Sequence, residues 1–190
     1  MLSVKLTQKK EYWLTYKTHV AFALIPAIPI ADYSYGLLSF ESIAFLSALS
    51  IGALSPDLDE EGSYLSRKIP VMPMVFKLFG VKHRAITHRL IAVVFLISVY
   101  YAFVLYEPSI ENVSYLFYGF ILGYLMHLFG DMLTKGGINE FFYPFSNIRG
   151  VLLPRNLRFF TGSSNEFKVF FIIISIVISE ILYLLGFLNG

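Results

Sequence analysis

The stretch Val113-Ser-Tyr-Leu-Phe-Tyr-Gly-Phe-Ile-Leu-Gly-Tyr-Leu-Met-His127-Leu-Phe-Gly-Asp131-Met-Leu133 is uncharged until Asp131. Its length matches the roughly 20 helical residues needed to cross a hydrocarbon core of about 30 Å. An ionisable group at the end of such a run is costly unless it is used. His127 and Asp131 stand four apart, which places them on one helical face one turn from each other.

Four further runs have similar character: Val20–Leu38, Phe40–Ser55, Leu90–Tyr106 and Phe167–Leu188. Phe40–Ser55 and Leu90–Tyr106 are short for a span and call for tilt or local thinning. Pro26, Pro29 and Asp32 interrupt the first run. The whole chain agrees with this reading, since its 190 residues are 56% hydrophobic and 15% charged, with a mean hydropathy of +0.66. A soluble domain of that size needs more charge to cover its surface. The expected fold is therefore all-α, a single domain over residues 1–190 built as an integral membrane bundle of about five transmembrane helices. With no cysteine present, disulfides, thiolate ligands and thiol nucleophiles are excluded. No cleavable signal peptide is expected, because a polar, lysine-bearing stretch precedes the first run.

Charge placement orients the bundle. All 15 basic residues fall before the first run, between the second and third, or between the fourth and fifth, while the alternate connections carry only acids. The positive-inside tendency then predicts a multi-pass inner-membrane protein with its N-terminus cytoplasmic and its C-terminus outside. Residues 60–88 and 135–166 become two cytoplasmic loops lying in the interface, apolar side toward lipid and basic groups toward headgroups. This topology accounts for the basic residues without nucleic-acid binding, for which no motif is present.

All four histidines fall at the predicted cytoplasmic ends of spans, with three aspartates beside them. His19 begins the first span, Asp57 and Asp59 end the second, His83 and His88 begin the third, and His127 and Asp131 end the fourth. Such ends converge in helical bundles, where metal sites form between facing helices. Imidazole and carboxylate without thiolate suit zinc first, with manganese or iron as alternatives. Four histidines and three aspartates are enough for one ion or for two about 3.5–4 Å apart, the usual arrangement for phosphoester hydrolysis.

The motifs Thr18-His19, Pro56-Asp57-Leu58-Asp59, His83-Arg84-Ala85-Ile86-Thr87-His88 and His127-Leu-Phe-Gly-Asp131, with Tyr143-Pro144-Phe145 downstream, resemble the YdjM-like family of inner-membrane proteins, described as metal-dependent hydrolases. Departures from its pattern are Glu60, where histidine is frequent, and Arg89, where serine is usual. The order of ligands is also distantly similar to zinc-dependent phospholipase C and P1-type nucleases, although this chain has no histidine after His127. The resemblance implies that Asp131 bridges two ions, that His19 holds one, and that His127 with His83 or His88 holds the other. It also implies that Asp57 or Asp59 acts as general base. Arg84 is expected to neutralise phosphate charge, on a lipid or lipid-linked phosphoester drawn from the membrane. A metal-ion transporter or sensor is the alternative.

Overall fold

A computed structural model describes residues 2–60, 62–78 and 86–187, with side chains from residue 16 onward except at 72, 73, 76 and 77. Among the described residues, seven α-helices follow in order: α1 (Leu2–Tyr35), α2 (Phe40–Gly52), α3 (Tyr64–Lys68), α4 (Val71–Leu78), α5 (Leu90–Tyr106), α6 (Ser114–Met132) and α7 (Ser164–Leu184). A 3₁₀ turn at Ser55–Asp59 follows α2, and another at Pro108–Val113 leads into α6. Among the described residues there is no strand; two isolated bridges, Thr134 to Phe159 and Ile138 to Gly150, tie the loop between α6 and α7.

The stretch Pro108–Met132, containing α6, and helix α7 are each long and apolar enough to cross a membrane. Helix α5 coincides with its expected run, whereas α2, at 13 residues, rises only about 20 Å. It stops early because Pro56 disfavours helix in the residue before it and opens the 3₁₀ turn. Helix α1 is longer than expected and continues unbroken through Pro26 and Pro29.

Small residues set the packing. On α6, Gly119 and Gly123 lie so close to α2 that a β-carbon there would sit 2.2 Å from the Phe45 carbonyl oxygen and 2.0 Å from that of Leu49. Gly52 reciprocates against the Phe120 carbonyl. Ala23, Ala27 and Ala31 form a fully buried stripe on α1 against Phe45 and Leu49 of α2. Small residues at four-residue spacing allow this backbone approach in membrane bundles, where packing rather than water exclusion holds helices together. The buried Ser42 hydroxyl links α2 to the end of α1 through the carbonyls of Ala31 (3.0 Å) and Gly36 (2.8 Å). Helix α7 lies along α1 through Ile173 and Val177. In the shorter loop, α4 exposes Val71, Met74 and Leu78 at helical spacing.

Candidate metal centre

The stripe Gly119-Gly123 continues along α6 at the same spacing into His127 and Asp131, and the stripe Ala23-Ala27-Ala31 runs back to His19. The close seam therefore ends in ligand-type side chains on both helices. It also brings the C-terminus of α2 against His127, whose Nδ1–H donates to the carbonyl of Ala53 at 2.7 Å. Helix C-terminal carbonyls need partners, and this one fixes the imidazole tautomer. Its Nε2 then carries a lone pair, aimed inward.

His88 is fixed by a longer chain of contacts. Thr87 Oγ1 donates to Asp59 Oδ2 at 2.9 Å and so accepts from His88 Nδ1–H at 3.0 Å. Tyr124 on α6 donates its hydroxyl to the Thr87 carbonyl, pinning the turn. The neighbouring start of α5 is held by Leu90 N–H, which donates to the Phe141 carbonyl at 2.9 Å. With Nδ1 so engaged, His88 turns its Nε2 toward the same centre.

These two nitrogens meet two carboxylates. His88 Nε2 lies 3.4 Å from Asp57 Oδ1 and 3.5 Å from Asp131 Oδ2, and His127 Nε2 lies 3.8 Å and 3.9 Å from the same atoms. A tetrahedral ion with bonds of about 2.0–2.1 Å needs ligand atoms about 3.4 Å apart. These are four of the six separations such an ion requires, and each comes within about half an ångström of it. His88 and His127 are fully buried and Asp131 nearly so, and Asp57 Oδ1 and His127 Nε2 are buried with no hydrogen-bond partner. Buried polar atoms normally find partners, and this pair suits a bound cation. Burial pushes the Asp57 carboxyl up, but positive charge on the rings of His127, His88 and His19 holds it well below the usual carboxylate range, a part that a bound cation would play beside neutral imidazoles. It is therefore available as an anionic ligand.

Asp131 divides its oxygens. Oδ1 lies 3.5 Å from His19 Nε2, and the His19 ring stacks on that of His127 with centroids 4.0 Å apart. Two overlapping groups follow, Asp57 with His88 and His127, and His19 with His127 and Asp131. The residues fit one buried divalent ion, with a second position beside His19.

Five of the expected site residues thus come together: His19, Asp57, His88, His127 and Asp131. Asp59 does not join them; its carboxylate stands behind Thr87, where it orients His88. His83 and Arg84 lie outside the described residues. Sequence reading missed Thr87, Tyr124 and the Ala53 carbonyl, whose roles arise only from contacts between distant segments. It also passed over Gly119 and Gly123, which their four-residue spacing from His127 signals.

Two cavities lie near the centre, one reaching His19 and the other reaching Thr87 behind His88. One of about 880 Å³ is almost wholly apolar, walled by Leu58, Thr87, Phe95, Phe120 and Tyr124 with Arg89 at its edge. Arg89 pairs there with Glu140 and lies over the Tyr143 ring. The other, of about 150 Å³, touches His19, Gly130, Thr134 and Glu166.

No solved structure matches the chain. A Bacillus subtilis (strain 168) protein described as uncharacterized protein YvsG is 33% identical over 154 residues, 80% of this chain and 85% of the relative. The inner membrane protein YdjM of Escherichia coli (strain K12) is 35% identical over 86 residues, 45% of this chain and 42% of its own length. The family model of the YdjM inner membrane protein matches residues 14–187, nearly the whole chain, which therefore belongs to that family.

Proposed function

We propose that this protein is a membrane-bound metal-dependent hydrolase that cleaves a phosphoester of a lipid or lipid-linked substrate at the cytoplasmic leaflet. The observation that carries the proposal is the meeting of Asp57, His88, His127 and Asp131 at ligand spacing, with both histidine tautomers set by outer contacts. Those contacts, Ala53 on His127 and Thr87 with Asp59 on His88, are the kind that orient metal-bound imidazoles. The second group, His19 with His127 and Asp131, has three ligands, the number that catalytic sites combine with an open position for water or substrate. When bound, a divalent ion lowers the pKa of water toward neutrality and polarises phosphoryl oxygens.

The chain's own residues do the rest. Asp57 faces the centre as one of its carboxylate ligands, while Asp59 holds His88 in orientation through Thr87. Arg84 neutralises phosphate charge. The large apolar cavity shares Thr87 and Leu58 with the walls of the centre and is suited to an alkyl chain; apolar pockets with a few convergent polar groups are the usual form of ligand sites. Five spans, with the N-terminus and the centre on the cytoplasmic side, complete the reading; the short α2 fits this by tilt or local thinning.

The alternative, a metal-ion transporter or sensor, drew support from an interrupted first span. Transporter sites sit on discontinuous helices near the midplane. Helix α1 is continuous, and its His19 stands at the same end of the bundle as the other ligands.

Two measurements test the proposal. Purified protein should carry stoichiometric zinc, manganese or iron that is lost in His127→Ala and Asp131→Ala; full retention of metal in both would remove the centre. Phosphate release from phosphatidic acid and polyprenyl phosphates, assayed with Zn²⁺ or Mn²⁺, should depend on the same residues. Metal-driven flux in liposomes without turnover would favour the transporter.

A further inference from the structure

The stretch 135–168 holds five basic residues, which the positive-inside tendency explains as topology alone. Folding adds something that topology does not require. Four of the five, Lys135, Arg149, Arg155 and Arg158, line a single concavity of about 550 Å³ floored by Phe160. Among the described residues no acidic side chain lines it. The acids of this stretch are engaged elsewhere, Glu140 with Arg89 and Glu166 with the backbone N–H of Gly162.

The cations are also held in position. Arg149 donates to the carbonyls of Lys135 (3.1 Å) and Gly136, and Arg158 Nε donates to the Leu153 carbonyl at 2.6 Å. Lys135 Nζ stands 4.2 Å over the Phe160 ring. Like charges gathered and fixed in one hollow repel one another until an anion joins them. Arginine forks in particular match phosphate oxygens.

The surroundings select the source of that anion. Ile148, Leu152, Leu157 and Phe160, all on the same loop, are each more than half exposed. Apolar side chains fringing a basic hollow form the pattern of a segment lying at the lipid boundary, with cations at headgroup depth. We infer that Lys135, Arg149, Arg155 and Arg158 form a binding site for the phosphate of an anionic phospholipid headgroup. None of the four is among the ligands of the metal centre, so the inference stands apart from the hydrolase proposal.

The test is native mass spectrometry of the full chain released from nanodiscs of phosphatidylglycerol and phosphatidylcholine in equal parts. The wild type should retain phosphatidylglycerol in preference to phosphatidylcholine. At about 1 kcal/mol for each basic group near an anionic surface, Arg155→Gln should weaken retention about five-fold and Arg155→Glu about 25-fold. Arg155→Lys should keep most of it, and all three leave the backbone contacts of Arg149 and Arg158 intact. Reversal at Lys168, which lies on α7 outside the hollow, should change little. Equal retention of the two lipids, or equal loss from Lys168→Glu and Arg155→Glu, would overturn the inference. Displacement of the lipid by millimolar inorganic phosphate would also overturn it, in favour of a free-phosphate site. Each outcome is read without turnover, so it is distinct from failure of the hydrolase proposal.

Discussion

Helices α6 and α7 both have the length and apolarity of membrane spans, yet they use their surfaces differently. Helix α6 gives one face to Gly119, Gly123, His127 and Asp131, all buried against α1, α2 and the turns beside them. Helix α7 buries little besides Glu166, Ile173 and Val177, and leaves Phe171, Ile172, Ile176 and Ile178 exposed. Hydropathy alone makes both candidate spans. Only the small-residue stripe reveals which span is built to approach a neighbour and deliver ligands at the end of the contact.

The largest expected effect comes from filling that stripe. The β-carbon of Gly123→Val would meet the Leu49 carbonyl oxygen at 2.0 Å and the Ala53 backbone nitrogen at 2.8 Å. Backbone cannot yield as a side chain can, so α2 must separate from α6 and the Ala53 carbonyl must leave His127. A loss of about 3 kcal/mol or more is expected, above the usual range for overpacking because both obstacles are backbone. Unfolding in detergent should show it together with loss of bound metal.

Next is Thr87→Val, which keeps the shape but breaks the chain from Asp59 to His88. Metal affinity measured by chelator competition should fall about 10–100-fold, as for other contacts that orient metal-bound imidazoles, with little change in stability. An unchanged affinity would mean that Thr87 does not orient His88. Ser42→Ala, at the α1–α2 end of the seam, removes hydrogen bonds to the Ala31 and Gly36 carbonyls and should lower stability by about 1 kcal/mol, measured by thermal unfolding. Ile176→Ala on the exposed face of α7 should change stability by less than about 0.5 kcal/mol in the same measurement. If Ile176→Ala were as damaging as Gly123→Val, the contrast between the two helices would fail.

Apolar runs were legible where charge marks their limits. Leu90–Tyr106 coincides with α5, and Val113–Leu133 exceeds α6 by one residue at each end. Charged residues misled at the other ends. Glu166 and Lys168 hid the true start of α7, where Ser163 accepts from the Glu166 N–H at 3.3 Å as an N-cap, and the lysines before Val20 concealed the first turns of α1. In the centre, His19, Asp57, His88, His127 and Asp131 were legible as residue types at span ends. The division of labour between Asp57 and Asp59 was not, because it depends on Thr87 and Asp59 meeting across 28 residues of chain. The Tyr124 contact to Thr87, 37 residues away, was hidden for the same reason.

The central claim is that two histidines and two aspartates from three different segments hold one ion. X-ray absorption at the edge of the bound metal tests it most directly. About four nitrogen or oxygen neighbours near 2.0–2.1 Å are expected in the wild type, two of them imidazoles by their outer-ring scattering. A shell of six oxygens without imidazole would contradict it.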